Sequence, residues 1–246
     1  MATDTVCDEP APEQPEMTYM LGFSPLRRLC GRWDRWYADA WCKDAFIRGL
    51  PPRARLLDVG CGNNSPRYTK GIRPDLVYTG LDVGDYNQAE PAAAFADRYI
   101  VVPPERFVSA IEAERGAMDA VISAHNLEHC LDMAATLAAM AGALAPGGRL
   151  FLAFPCEASA RFPPRDGCLN FFDDATHRTL PRFDAVLAGL VGAGLEVTVA
   201  IPRYRPGVHV LAGLRHEWRS RRERRVLEGT WALWGFESVV WARRVR

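Results

Sequence analysis

The chain has 246 residues, 48% of them hydrophobic, enough to bury a substantial core in one large α/β domain with extensions or in two small ones. Thirty basic residues cancel thirty acidic ones, so no whole-protein field selects nucleic acid or an anionic membrane, and any charge argument is local. Seven cysteines without paired metal spacing fit a reducing compartment, while an acidic, proline-rich start and the lack of any apolar run of about 18–20 residues predict a cytoplasmic chain without a secretion signal.

Residues 1–18 mix prolines and acids with few large apolar groups, so they cannot offset their ordering entropy and are predicted to be disordered. Residues 19–50 are predicted to form a helical cap: from Leu26 to Leu50, apolar and aromatic residues recur at three- and four-residue spacings and stop at Pro51-Pro52. Trp33, Trp36, Tyr37 and Trp41 in this cap either pack as ordinary core or close a site as a lid.

From residue 51 to 246, short apolar runs alternate with helix-length pieces. "RLLDVG", "LVYTGLDV", "RYIVV", "MDAVIS", "GRLFLAFP", "LEVTVAIP" and "ESVVWARR" read as seven strands, and Asp132–Leu144 and Pro181–Ala193 as helices. Such alternation predicts a mainly parallel sheet with helices on both faces. A helical insertion at about 206–234 separates the last two strands. Six arginines between Arg215 and Arg225 face only Glu217 and Glu223 there. With Leu211, Leu214 and Trp218 they form either a solvated helix face or a peripheral contact with an anionic membrane or an acidic acceptor.

The first strand runs into the turn "LLDVGCGNNS", Leu56–Ser65. A dinucleotide fingerprint needs a third glycine at Ser65, and a phosphate loop needs a lysine; both are missing. A ligand without phosphates fits better. S-adenosylmethionine needs close backbone approach, which Gly60 and Gly62 permit, and negative charge near its cationic end, which Asp58 supplies. Asp82, at the tip of the next strand, can accept hydrogen bonds from both ribose hydroxyls. A plain turn at the glycines and a loop or cap role for Asp82 are the simpler alternatives.

Together, "LLDVGCG", "GLDV", "MDAVISAHNLEHCLD", "LAPGGRLFLAFP" and "DDATHRTLPRFDAVLAGLVGAGLEV" resemble the class I S-adenosylmethionine-dependent methyltransferases, particularly the small-molecule and glycan group. The resemblance covers about Leu56–Val199 and the final strand, and departs at Asn64, where many members carry a third glycine. It implies a Rossmann-like three-layer sandwich with a seven-stranded sheet whose last strand is antiparallel. It implies S-adenosyl-L-methionine contacts at Asp58, Gly60, Gly62, Asn63, Asp82, Val83, Ser123 and Ala124. The adenine-contact acid has no clean match beyond Glu105.

Three histidines stand near the implied site. His125, where the fourth strand opens, contacts cofactor or acceptor or else is structural; Glu128 and His129 begin the following helix. His177 is placed by the resemblance on a loop over the acceptor pocket, and it is the first candidate for a catalytic base, ahead of His129 and Glu128. No metal is expected. The expected reaction is methyl transfer to a small-molecule or glycan-like acceptor at oxygen, with RNA methylation through the arginine-rich insertion, or a non-catalytic cofactor-binding partner protein, as alternatives. Nucleic acid is not the expected partner.

Overall fold

A computed structural model describes residues 40–245. The predicted tail at 1–18 and the aromatic residues Trp33, Trp36 and Tyr37 lie outside the described residues.

Helix α1 (Lys43–Arg48) starts where the Cys42 side chain accepts the Ala45 amide and ends before Pro51-Pro52. Strand β1 (Arg55–Val59) leads into α2 (Ser65–Ile72), and β2 (Val77–Asp82) and β3 (Arg98–Val101) follow. Next come α3 (Phe107–Glu112), β4 (Met118–Ala124), α4 (Met133–Ala143) and β5 (Leu144–Pro155). Alanine-rich α4 is capped by Asp132, which accepts the Ala135 amide at 2.9 Å. The chain ends with α5 (Phe183–Gly192), β6 (Leu195–Tyr204), α6 (Gly207–Glu223), α7 (Thr230–Trp234) and β7 (Glu237–Arg244). All seven expected strands form.

The strand order is β3-β2-β1-β4-β5-β7-β6. The first five run parallel, and β7 is antiparallel to both β5 and β6. Alternation along the strands divides the core. Leu57, Val59, Val121 and Leu152 face α3, α4 and α5, while Leu56, Tyr78, Ile122 and Phe151 face α1 and its neighbours. A third cluster of Cys156, Phe162, Leu169, Val226 and Phe236 fixes the segment after β5 to the insertion. The order reverses between β1 and β4, so a crevice at their carboxyl ends is where an open α/β sheet offers a binding site. No helix of the described residues is long and apolar enough to cross a membrane.

Candidate active site

The glycine turn is built on a buried network. Asp58 is fully buried at the end of β1, and its Oδ2 accepts the hydroxyls of Ser65 at 2.5 Å and Tyr78 at 2.6 Å. Lys43 of α1 donates to Ser65 Oγ at 2.6 Å and lies 3.5 Å from Asp58 Oδ2. Ser65 therefore has a task that the dinucleotide glycine at its position could not perform. Asp58 Oδ1 is buried and has no hydrogen-bond partner. Burial holds the Tyr78 hydroxyl well above its usual pKa, so it remains a donor to Asp58.

Gly60 adopts φ +77, and a Cβ there would meet the Asn126 side chain at 2.6 Å. Both conformation and space require glycine. Asn63 and Asn64 are left-handed as well, at φ 55 and 58, a region that asparagine tolerates better than most residues. Their polar groups hold the segment after β2. Asn63 N–H donates to the Tyr86 carbonyl at 3.0 Å, its Oδ1 accepts from Asn87 at 2.8 Å, and Asn64 Oδ1 accepts the Ala89 amide at 2.7 Å. Gln88 completes the attachment by donating to the Cys61 carbonyl at 3.2 Å.

Asp82 lies at the carboxyl tip of β2 beside Gly62, with only 6% of its surface exposed. Burial raises its pKa to about 6, against the opposing effect of the Val83, Gly62 and Gly84 amides. It has no cationic partner among the described residues, so it is a buried acceptor suited to hydroxyl donors. Val83, which donates its amide to Asp82 Oδ1 at 2.7 Å, packs against the core. This carboxylate, the orphaned Asp58 Oδ1 and the turn opened by Gly60 and Gly62 between them suit an adenosyl ligand with a cationic amino-acid end.

At the end of β4, Ser123 spends its hydroxyl on the Val59 carbonyl at 2.9 Å, and Ala124 is partly buried. His125 turns out of the strand at φ 52. Its Nε2 lies 2.6 Å from Glu237 Oε1 and its Nδ1 lies 3.4 Å from Glu128 Oε1, while Trp231 and Phe236 flank the ring. Burial works to lower its pKa, but the contacts with Glu128 and Glu237 prevail and hold it at about 10. His125 is thus an imidazolium at neutral pH and not a base.

Glu128, His129 and His177 come together in space. Each offers a metal-ligating or proton-accepting atom, and these atoms lie within 4.8 Å of one another. Glu128 is fully buried, with neither carboxylate oxygen hydrogen-bonded. Its backbone carbonyl accepts the Arg178 and Thr179 amides at 2.8 and 3.3 Å, joining the turn after β4 to the His177 segment. The His177 ring lies 4.8 Å from the His129 ring and 4.6 Å from the Phe171 ring, tilted by 60° and 30°. Burial, with a smaller contribution from His177, lowers the His129 pKa despite the nearby carboxylates.

The insertion borders this end of the sheet through Trp231 and Phe236. Arg165, on the segment after β5, anchors it by donating to Glu217 at 2.8 and 2.9 Å and to Ser220 at 2.6 Å. Leu211, Leu214 and Trp218 of α6 are exposed. Trp41 packs edge-on against Trp241 of β7, and Glu105 is exposed in the turn before α3. Lys43, Asn126, Thr176 and Glu237 were not recognisable from sequence, since each joins the site through a contact distant along the chain.

Comparison with known proteins agrees with this architecture. A family model described as a methyltransferase domain matches residues 28–227. The 27-O-demethylrifamycin SV methyltransferase of Amycolatopsis mediterranei (strain S699) is 33% identical over 119 residues, covering 44% of this chain and 42% of that protein. The matched region therefore spans less than half of the relative. An S-adenosylmethionine-dependent methyltransferase from Mesorhizobium loti superposes with a TM-score of 0.57 at 16% identity, over 86% of this chain and 98% of that one. An O-methyltransferase family protein from Burkholderia thailandensis gives 0.52 at 16% identity, over 82% and 55%. At such identities the two structures show a shared fold. With the family match spanning most of its length, the chain belongs to the methyltransferase-domain family, the class I enzymes whose cofactor is S-adenosyl-L-methionine.

Proposed function

We propose that this chain methylates a hydroxyl oxygen of a small-molecule or glycan-like acceptor. The observation that carries the reading is the convergence of Glu128, His129 and His177 just beyond β4, two residues past the Asn126 that packs on Gly60. A hydroxyl must lose its proton to become a good nucleophile, and the cluster offers proton-accepting groups where an acceptor would enter. The relative named for 27-O-demethylrifamycin SV is in line with an oxygen acceptor on a small molecule.

S-adenosylmethionine supplies a methyl group already activated on a sulfonium. Asp82 would hold its ribose hydroxyls, the backbone from Gly60 to Asn63 would lie against it, and Asp58 Oδ1 would face its ammonium. Val83, Ser123 and Ala124 would shape the pocket wall, and His125 would contribute by fixing Glu128. Alignment of the acceptor with the carbon–sulfur bond is then the main demand on the protein, an effect able to remove several kcal/mol of barrier. Deprotonation at the cluster adds about 10²- to 10⁴-fold.

The test incubates the full chain with methyl-labelled S-adenosylmethionine and a panel of hydroxylated small molecules, and reads the product by NMR. An O-methyl resonance is expected, with turnover reduced at least 100-fold in His177→Gln. A methylated nitrogen or carbon, or calorimetry in which NAD binds and S-adenosylmethionine does not, overturns the reading.

A further inference from the structure

We propose that Glu128, His129 and His177 form a binding site for one divalent transition-metal ion of the zinc, cobalt or ferrous class, with an open position for an acceptor oxygen. Bonds of about 2.0–2.2 Å to nitrogen and oxygen place donors roughly 3.3–3.6 Å apart around a tetrahedral ion. The ligating atoms here lie within 4.8 Å of one another, so the widest pair would close by about 1 Å to reach that spacing.

The imidazoles are prepared for coordination. His177 Nδ1 lies 2.6 Å from the Phe171 carbonyl, which can only accept, so Nδ1 is the donor there and Nε2 is the nitrogen left to face the cluster. That Nε2 is 4.0 Å from Glu128 Oε1 and 3.9 Å from Asp174 Oδ2. His129 is fixed in the same way. Its Nδ1 lies 3.3 Å from the Thr176 carbonyl and 3.0 Å from Thr176 Oγ1, whose own proton goes to Asp174 Oδ1 at 2.6 Å. Nδ1 is therefore the donor in that contact, and Nε2 is bare. Metal-ligating histidines characteristically donate their second nitrogen to a carbonyl or polar partner in this manner.

A second and independent observation concerns Glu128. Its carboxylate is completely buried, and neither oxygen receives a hydrogen bond. A buried carboxyl group without hydrogen bonds calls for a partner. The His125 ring is the nearest basic group, and it lies closer to Glu237, at 2.6 Å from Nε2, than to Glu128, at 3.4 Å from Nδ1. A dication seated between Glu128 and the two imidazoles would give this buried carboxylate the partner it lacks.

Two imidazoles with one carboxylate select borderline transition ions over magnesium or calcium, which prefer all-oxygen shells. Three protein ligands leave a position open, as in catalytic rather than structural sites. The chemical use of the ion rests on the proposed O-methylation. With the ion seated, the three side chains act as ligands in place of a base, and an acceptor hydroxyl bound at the open position loses its proton to solvent. Its oxygen then forms a bond to the methyl carbon as the carbon–sulfur bond breaks, and the sulfonium leaves as a neutral thioether. The ion keeps its oxidation state.

Chelator-treated full-length chain is titrated with zinc alone by calorimetry and with cobalt alone by visible absorption, and S-adenosylmethionine affinity is measured in parallel. The expected result is one ion per chain, a cobalt spectrum of low coordination number that zinc abolishes, and no comparable uptake of magnesium. Glu128→Gln and His177→Gln should each weaken zinc binding by roughly 100-fold or more, and the milder Thr176→Val by about 10- to 100-fold. A chain that melts cooperatively and binds S-adenosylmethionine, but takes up neither zinc nor cobalt, overturns the ion site and leaves the methyltransferase reading intact. Unchanged zinc binding in a folded Glu128→Gln/His177→Gln variant overturns it as well. One zinc bound by a chain that ignores S-adenosylmethionine upholds the ion site and removes the methyl-transfer reading instead.

Discussion

Asn64 accepts the Ala89 amide through its side chain at 2.7 Å while its own backbone stands at φ 58. One residue thus makes the left-handed step that opens α2 and holds the segment following β2 against the glycine turn. That is the physical reason an asparagine can occupy a place where glycine is common among the family's members: glycine meets the conformational need, and asparagine meets it while adding an acceptor.

The two roles separate by substitution. Asn64→Ala forces a Cβ residue without local hydrogen bonding into the left-handed region, at about 1–2 kcal/mol, and also loses the bond to Ala89, about 0.5–1.5 kcal/mol. Asn64→Gly loses only the bond. Urea denaturation should rank wild type above Gly and Gly above Ala. Equal stability for the two variants would show that the backbone conformation carries no cost.

Asp82 predicts opposite effects on stability and on binding. Its folded pKa, raised by burial to about 6, lies above the unfolded value near 3.9, so the fold favours the protonated form. Its ionisation weakens the fold as pH rises through the window of about 4–6, and the penalty is complete above it. Asp82→Asn should therefore make the ligand-free protein more stable at pH 7.5, by about 1–3 kcal/mol. The same change should weaken S-adenosylmethionine binding more than about 10-fold, since a strong acceptor is lost. In the wild type, affinity should fall as pH drops through about 6. Thermal melts and calorimetry across pH check both effects; a destabilised Asp82→Asn would contradict the burial argument.

The parts of the site readable from sequence are those whose logic is local. Gly60 and Gly62 follow a strand within one turn, Asp82 ends the next strand, and the strands themselves are continuous apolar runs because the sheet is covered on both faces. His177, His129 and Glu128 could be named as candidates, but not as neighbours, because the pairing depends on how the segment after β5 folds back over β4. Glu237 is legible only once β7 is known to lie antiparallel beside β5, which brings Glu237 level with Pro155 and next to His125. Lys43 likewise becomes part of the glycine turn only through the docking of α1 over Ser65. Nothing in the local pattern around these residues distinguishes them from ordinary surface charges.

Arg165 and Glu217 should control the attachment of the insertion. Arg165 is nearly buried and donates to both Glu217 oxygens, and Trp234 donates to the same carboxylate at 3.3 Å. Burial would raise the Glu217 pKa, but hydrogen bonds from Arg165, Arg221 and Trp234 outweigh it and hold it at about 2. Because the unfolded value is near 4.3, this stabilisation is present above about pH 4.3 and is lost as pH falls through about 2. Arg165→Met leaves Glu217 without its buried partner and should cost about 3 kcal/mol, whereas Arg221→Ala removes an exposed pair worth at most about 1 kcal/mol. Chemical denaturation compares them directly. Equal losses would mean that the Arg165 pair behaves as a surface pair.

Gly60 and Asn126 should be coupled, and the coupling divides conformational from steric cost. Gly60→Ala places a Cβ at φ +77, about 1–2 kcal/mol, and drives it into the Asn126 side chain at 2.6 Å, an overpacking cost of about 1–3 kcal/mol. Asn126 has little freedom to retreat, since its amide is directed to Ser123 Oγ at 3.4 Å and Cys130 Sγ at 3.6 Å. Asn126→Ala removes the obstacle but not the unfavourable φ. In a double-mutant cycle, Gly60→Ala in the Asn126→Ala background should recover the steric part and retain the conformational part, giving an interaction energy of about 1–3 kcal/mol. Additive effects would mean that the turn shifts as a body away from Asn126. The amide of Gly60, which donates to the Leu81 carbonyl at 2.8 Å, opposes such a shift because it ties the turn to the strand ending in Asp82.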